Sequence, residues 1–253
     1  MTLASRAPTR IQLCGTTIVE AAGERLEGRL PGRQGRILFA FLVLNRDRPT
    51  SRSELAEAVW PRESSQAASE TGLTPLISKL RRMLGADRLD GHATIRLVLD
   101  ADARVDVEDA VSSVHRAESQ LALGNFTRAW APSMAALYVA EREFLAGESN
   151  PWVDEQRRLM AGVRMRALEA YATACAGTGG TELPAAIRAS RDLIRLAPLR
   201  ESGYQLLMHA LRDQGNPAEA LAVYADLRAV LRDELGVSPS AASQAVYDEL
   251  IRD

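Results

Sequence analysis

"LTPLISKLRRMLG", residues Leu73 to Gly85, holds the chain's only lysine, Lys79, and its reading decides what the N-terminal part is. At about 100° per residue, Leu73, Leu76, Ile77, Leu80, Met83 and Leu84 gather on one side of a helix and form its core face. Thr71, Thr74, Pro75, Ser78, Lys79, Arg81 and Arg82 are left outside. That outer face carries no acid. It offers hydroxyls and cations, groups that hydrogen-bond to phosphates and base edges, whereas a merely solvated helix mixes signs. Pro75 leaves two readings open. Either the regular helix starts with Thr74 as N-cap and Pro75 in the first position, or Pro75 lies mid-helix and removes a backbone donor.

Working outward, "RIQLCGTTIVEAAGERLEGRLPG" reads as short strands over Ile11–Cys14 and Thr16–Glu20, with a turn at Ala22-Gly23. "RQGRILFAFLVLN" changes to helical spacing, which predicts a largely buried helix over about 33–45. Pro49 closes the connection, and Ser51 with Glu54 forms a capping-box pattern that opens a second helix over about 52–60. The polar "RESSQAAS" then breaks the pattern before the Leu73 helix, which stops at Gly85. "ADRLDGHATIRLVL" predicts a β-hairpin, with Asp90-Gly91 as the turn and Thr94–Leu99 as the return strand. Strands, three helices and a hairpin are the layout of a winged helix-turn-helix.

In that layout the N-terminal half of the third helix meets base edges, so Thr71, Thr74 and Ser78 are the base-reading candidates. Lys79, Arg81, and Arg88 and Arg96 of the hairpin are phosphate candidates. Arg82 has two options, a phosphate or the bidentate pairing with guanine. His92 marks the hairpin tip and reads as exposed.

Charge supports a polyanion partner for the first part only. Residues 1–99 carry 15 basic and 10 acidic side chains, and residues 100–253 carry 16 and 23. The overall balance of −2 therefore hides +5 against −7. Of the 253 residues, 46% are hydrophobic and 25% charged, a globular composition, with aromatics at 5%, so Leu, Ala and Val must fill the core. Cys14 and Cys175 are expected as buried free thiols, which fits a reducing cytosol. With His92, His115 and His209 they make no metal-ligand spacing, and no metal or other cofactor is expected. "MTLASRAPTR" has no apolar run behind its charges, and no stretch approaches the roughly 20 apolar residues of a membrane span. A soluble, cytoplasmic chain with no membrane contact is expected.

"DADARVDVEDA" is polar, and a boundary is placed near 100–105, giving a DNA-binding domain over 1–100 and a second domain over 101–253. Beyond it everything reads as helix, over about 106–123, 125–140, 151–176, 183–197, 200–214, 217–235 and 240–252. Tyr204, Leu207, Met208 and Leu211 line one helix, Gly215 turns the chain, and Ala220, Tyr224 and Leu227 line the next. This is tetratricopeptide-like spacing, and such pairs stack because neither helix buries its face alone. The fold class is mainly α: a winged helix-turn-helix followed by an all-α repeat domain.

"LPGRQGRILFAFLVLNRDRPTSRSELAEAVWP", "LISKLRRMLG" and "AEALAVYADLRAVLRDELGVSPS" resemble actinobacterial SARP-type regulators, the Streptomyces antibiotic regulatory proteins. The likeness rests on Leu13, Gly15, Arg33, Leu38, Leu42, Leu55, Trp60 and the run from Ser78 to Gly85. It implies an OmpR-like winged helix and a bacterial transcriptional activator domain. It also implies an activator that binds promoter direct repeats as a side-by-side dimer and recruits RNA polymerase through its sigma factor and other subunits. Many relatives have a longer polar reading segment and a "P-G-Y" turn, where this chain has Pro75 and "DGHATIRL". Larger relatives append an ATPase, but no Gly-Lys pair is present here to build a phosphate loop, and "GTGG" at 177–180 reads as a helix connector.

No elbow serine, "H-E-x-x-H" or clustered His points to an enzyme. "VDVEDA" reads as a helix start, where acids complement the dipole. The alternative to a regulator is a protein-interaction or ligand-sensing repeat module with little DNA binding of its own.

Overall fold

The computed structural model describes residues 8–60 and 66–252. The chain forms two compact units, one from Met1–Asp109 with Arg142–Met160, the other from Ala110–Glu141 with Ala161–Asp253. These units differ from a single division near 100–105, because the first runs on to Asp109 and takes back a later segment.

Helix α1 (Gly32–Leu44) organises the first unit. Every residue from Ile37 through Val43 is buried, so this stretch of the helix has no polar face. Helix α2 (Arg52–Val59) opens with the expected capping box, in which Ser51 accepts from the Glu54 amide and the Glu54 carboxylate accepts from the Ser51 amide. The Arg48 guanidinium, and then the Ser51 amide, hold the Glu54 carboxyl below its usual range. Helix α3 (Gln66–Leu84) runs unbroken through Pro75. Pro75 is exposed and, lacking an N–H, donates no bond to the carbonyl one turn back. The polar stretch expected to separate the second and third helices is partly helical: α3 already begins at Gln66, and residues 61–65 lie outside the described residues, as do 1–7 of the N-terminal stretch.

Two small sheets flank these helices. One has the order β3-β2-β1-β7, from β1 (Arg10–Gln12), β2 (Ile18–Ala21), β3 (Glu24–Arg25) and β7 (Arg104–Val105). The turn at Ala22-Gly23 has φ of 54° and 80°, as a two-residue hairpin loop requires. Strand β7 runs parallel to β1, with Val105 opposite Ile11. The other sheet has the order β4-β6-β5, from β4 (Thr50–Ser51), β5 (Leu89–Asp90) and β6 (Thr94–Leu97). The hairpin is where the sequence put it, although its return strand ends at Leu97 rather than Leu99.

The segment 142–160 is built into this unit through polar clips. The Gly15 amide donates to the Glu143 carbonyl at 2.7 Å, and the Leu145 amide to the Leu13 carbonyl at 2.8 Å. The side-chain amide of Asn150 donates to the Ala58 carbonyl, and its oxygen accepts from the Val153 amide. Glu148 is only 2% exposed in its side chain and is gripped from α1. Arg36 Nε donates to it at 2.6 Å, and Arg33 Nε lies 3.1 Å away. The indole of Trp152 sits 5.2 Å from the Phe41 ring and 5.8 Å from Phe144. Asp106 accepts from the Leu13, Cys14 and Val107 amides. Burial raises its carboxyl nonetheless, against those three donors.

The second unit is all helical. It comprises the later part of α4 (Asp106–Ala122), α5 (Phe126–Ala140), the later part of α6 (Pro151–Thr178), α7 (Leu183–Leu196), α8 (Glu201–Asp213), α9 (Pro217–Leu235) and α10 (Ala241–Leu250). Tyr204, Leu207, Met208 and Leu211 of α8 pack with Ala220, Tyr224 and Leu227 of α9, as the repeat spacing required. Gly179 and Gly180 both have positive φ and connect α6 to α7. The Glu201 carboxylate accepts from the Ser240 amide and from the Ser240 and Ser243 hydroxyls, tying the start of α8 to the start of α10. Among the described residues no helix is long and apolar enough to cross a membrane.

Replacing Arg33 and Arg36 together by Ala strands the buried Glu148 carboxylate. The expected loss is about 3 kcal/mol of stability, read as a lower urea midpoint of the full chain, with Glu148→Gln losing less. Both cysteines are free and buried. Burial, and then Asp106, push the Cys14 thiol up to about 12, and burial pushes Cys175 up to about 11. At about pH 8 both should stay thiols and resist iodoacetamide until guanidinium is added; rapid labelling of the native chain would contradict this.

Candidate nucleic-acid interface

The inner side of α3 is committed to the core. Leu73, Ile77, Leu80 and Met83 are buried, while Leu76 and Leu84 are half-buried rather than fully inside. Gly72 lets the helix approach α2's end closely: a Cβ there would lie 2.9 Å from Cζ2 of Trp60. Trp60 is legible in the sequence as a fixed feature, but its need for glycine at position 72 is not, because the two meet only in the folded unit.

The outer side is exposed at Thr71, Thr74, Pro75, Ser78, Lys79 and Arg82. Thr71, Thr74, Ser78 and Arg82 thus share one stripe, spaced three or four residues apart, with Lys79 beside it. Among the described residues, neither Lys79 nor Arg82 has a carboxylate within ion-pair distance. These two cations therefore keep their full field toward solvent.

The other three expected phosphate contacts are held within the unit. Arg81 is half-buried and bends away from the outer face: its Nε donates to the Leu89 carbonyl at 3.2 Å, and its Nη2 to the Gly91 carbonyl. It straps the hairpin to α3. Arg88 is paired with Asp100 at 2.7 Å. Arg96 is exposed, with Nε directed at the Arg46 carbonyl at 3.3 Å. The hairpin tip needs Gly91, whose φ is 85° and whose Cβ would overlap the Thr94 carbonyl oxygen. His92 is exposed and, with Asp87 and Asp90, borders an open cavity of about 550 Å³ beside the hairpin.

One side chain at this face was not among the expected ones. Arg52, the first residue of α2, donates from Nη2 to the Thr74 hydroxyl at 2.6 Å. Its place directly after the Ser51 cap was visible in the sequence, but nothing there paired it with a residue of α3. Among the described residues, no group of three or more His, Cys, Asp or Glu is placed to hold a metal ion.

This arrangement can grip a polyanion with two cations while presenting hydroxyls to whatever lies between them. Comparison with known proteins agrees in kind. Residues 105–251 match the family described as bacterial transcriptional activator domain, and residues 27–98 match the family described as transcriptional regulatory protein, C terminal. The regulatory protein AfsR of Streptomyces coelicolor is 33% identical over 239 residues, covering 91% of this chain and 23% of that protein. AfsR of Streptomyces griseus is 30% identical over 224 residues, covering 87% and 22%. The chain thus spans under a quarter of the length of these relatives. The transcriptional regulatory protein EmbR of Mycobacterium tuberculosis is 27% identical over 240 residues, 86% of this chain and 57% of EmbR. A solved structure of EmbR, in complex with a low-affinity phosphopeptide, has a TM-score of 0.84 at 22% identity and covers 97% of this chain and 65% of that one, a likeness of fold.

Because Arg81 serves the hairpin, Arg81→Ala is expected to speed amide hydrogen exchange across residues 89–97 while exchange in α1 stays unchanged. Lys79→Ala should leave hairpin exchange at the wild-type rate.

Proposed function

The chain belongs to the bacterial transcriptional activator domain family as a SARP-type regulator, and we propose that it binds duplex DNA sequence-specifically and activates transcription. The observation that carries this reading is the exposed outer stripe of α3 from Thr71 to Arg82, which carries no acid and on which, among the described residues, Lys79 and Arg82 have no carboxylate within ion-pair distance. In this reading α3 enters the major groove. Thr71, Thr74 and Ser78 meet base edges, Lys79 grips a phosphate, and Arg82 reaches a phosphate or guanine. Arg81 holds the hairpin that flanks the groove, and Arg88 and Arg96 act as secondary cations whose guanidinia must first leave Asp100 and the Arg46 carbonyl.

The remaining assignments rest on likeness to the family. Residues 1–100 serve as the DNA-binding domain and 101–253 as the activator domain. The chain acts in the cytoplasm, pairs with a second copy on promoter direct repeats, and recruits RNA polymerase including its sigma factor. It performs no catalysis and uses no cofactor.

The test is the salt dependence of binding to promoter fragments of the host. Lys79→Ala with Arg82→Ala should weaken binding to every sequence. It should also flatten the slope of log K against log salt by about 2 if both cations meet phosphates, at about 0.9 for each. Both side chains are exposed, so helicity and melting should match wild type. Absence of binding by the wild-type chain at low salt would favour the interaction-module reading instead.

A further inference from the structure

Resting on that reading, we infer that Arg52 fixes the hydrogen-bond polarity of Thr74, making this hydroxyl a donor toward DNA and so selecting a base with an acceptor edge. A guanidinium has only donors, while a hydroxyl has one donor and two acceptor sites. The 2.6 Å bond from Arg52 Nη2 into Thr74 Oγ1 therefore occupies an acceptor site and leaves the proton for another partner. Three other helical hydroxyls of this chain spend their proton internally. Thr173, Thr178 and Ser119 donate to the carbonyls of Glu169, Ala174 and His115, each one turn back. Among the described residues, Thr74 makes no such bond, and its side chain is exposed.

The bond is charge-assisted, so it also polarises the hydroxyl and strengthens it as a donor. A free Ser or Thr reads either kind of base edge. Thr74, with one of its two acceptor sites engaged and its proton free, fits guanine O6 or N7, adenine N7 or thymine O4. To the amino group of cytosine, itself a donor, it offers only its second acceptor site, on an oxygen that already faces the Arg52 cation. Arg52 is thus a positioning residue, with its stem at the start of α2 and its effect at the centre of α3. A phosphate oxygen is also an acceptor, and contact there would change affinity without changing sequence preference.

The experiment is selection of a randomised duplex by the full chain, followed by titration of the selected site and its single-base variants. Thr74→Val identifies the base position that Thr74 meets. Wild type and Thr74→Ser should prefer an acceptor base over cytosine there by about fivefold, the worth of one hydrogen bond. Arg52→Met, which keeps the apolar stem, should lose that preference at the same position, and Arg52→Ala should do likewise. In the Thr74→Val background, Arg52→Met should cause no further loss of preference. A uniform fall in affinity with an unchanged motif in Arg52→Met would overturn the inference and make Arg52 a phosphate contact. So would an unchanged motif in Thr74→Val. If the wild-type chain enriches no motif at all, the proposed function fails and the inference falls with it.

Discussion

Between Ile37 and Val43, α1 has no side to turn toward water, and much of the first unit is the cover this requires. Helices α2 and α3 close two sides, β6 of the hairpin sheet touches a third, and Trp152 from the returning segment reaches Phe41. Two carboxylates trapped by that closure are answered by nearby cations or amides. Glu148 lies beside the first turns of α1, where a carboxylate suits the helix dipole, and it also meets Arg33 and Arg36 from that turn. Asp106 does the same for the amides of Leu13 and Cys14 and for the start of α4. Unanswered, either carboxylate would cost the unit several kcal/mol; answered, each fixes a register.

That closure also determines what α3 shows. With Leu73, Ile77, Leu80 and Met83 spent on the core, the opposite stripe has to face out. Its lack of acids is a property of the sequence, but its availability is a property of the packing. Arg81 illustrates the difference. It stands two residues from Lys79 and one from Arg82, and yet it serves the carbonyls of Leu89 and Gly91. A cationic helix thereby divides its labour, with two side chains left facing solvent and one used to hold the hairpin.

Most helices were legible to within a few residues, because they are long, amphipathic and punctuated by Gly and Pro. The capping box at Ser51 and Glu54 was legible for the same reason, since its spacing is local. What escaped was non-local or too short for a period. Strands β4 and β7 have two residues each, and β7 finds its partner in β1, about ninety residues earlier. The membership of 142–160 was not readable, since no pattern links Glu148 to arginines more than a hundred residues before it. Pro75 left two readings open because helix propensity is only a weak prior; packing of the inner face carries α3 straight through it. At the interface, exposure of the hydroxyl stripe followed from periodicity, whereas the partners of Arg52, Arg81, Arg88 and Arg96 did not. A long guanidinium stem reaches several carbonyls, and only the fold decides which.

The chain leaves the first unit after Asp109, re-enters at Arg142 and departs again after Met160. Neither body is therefore encoded by one uninterrupted stretch of gene. A crossover that transplants only the first 109 codons would deliver a sheet without the strand-like edge at Phe144 and a helix without Glu148. Heredity can reshape such a body by altering single letters on its outer stripe, but exchange of whole segments must carry both pieces together or leave the core open.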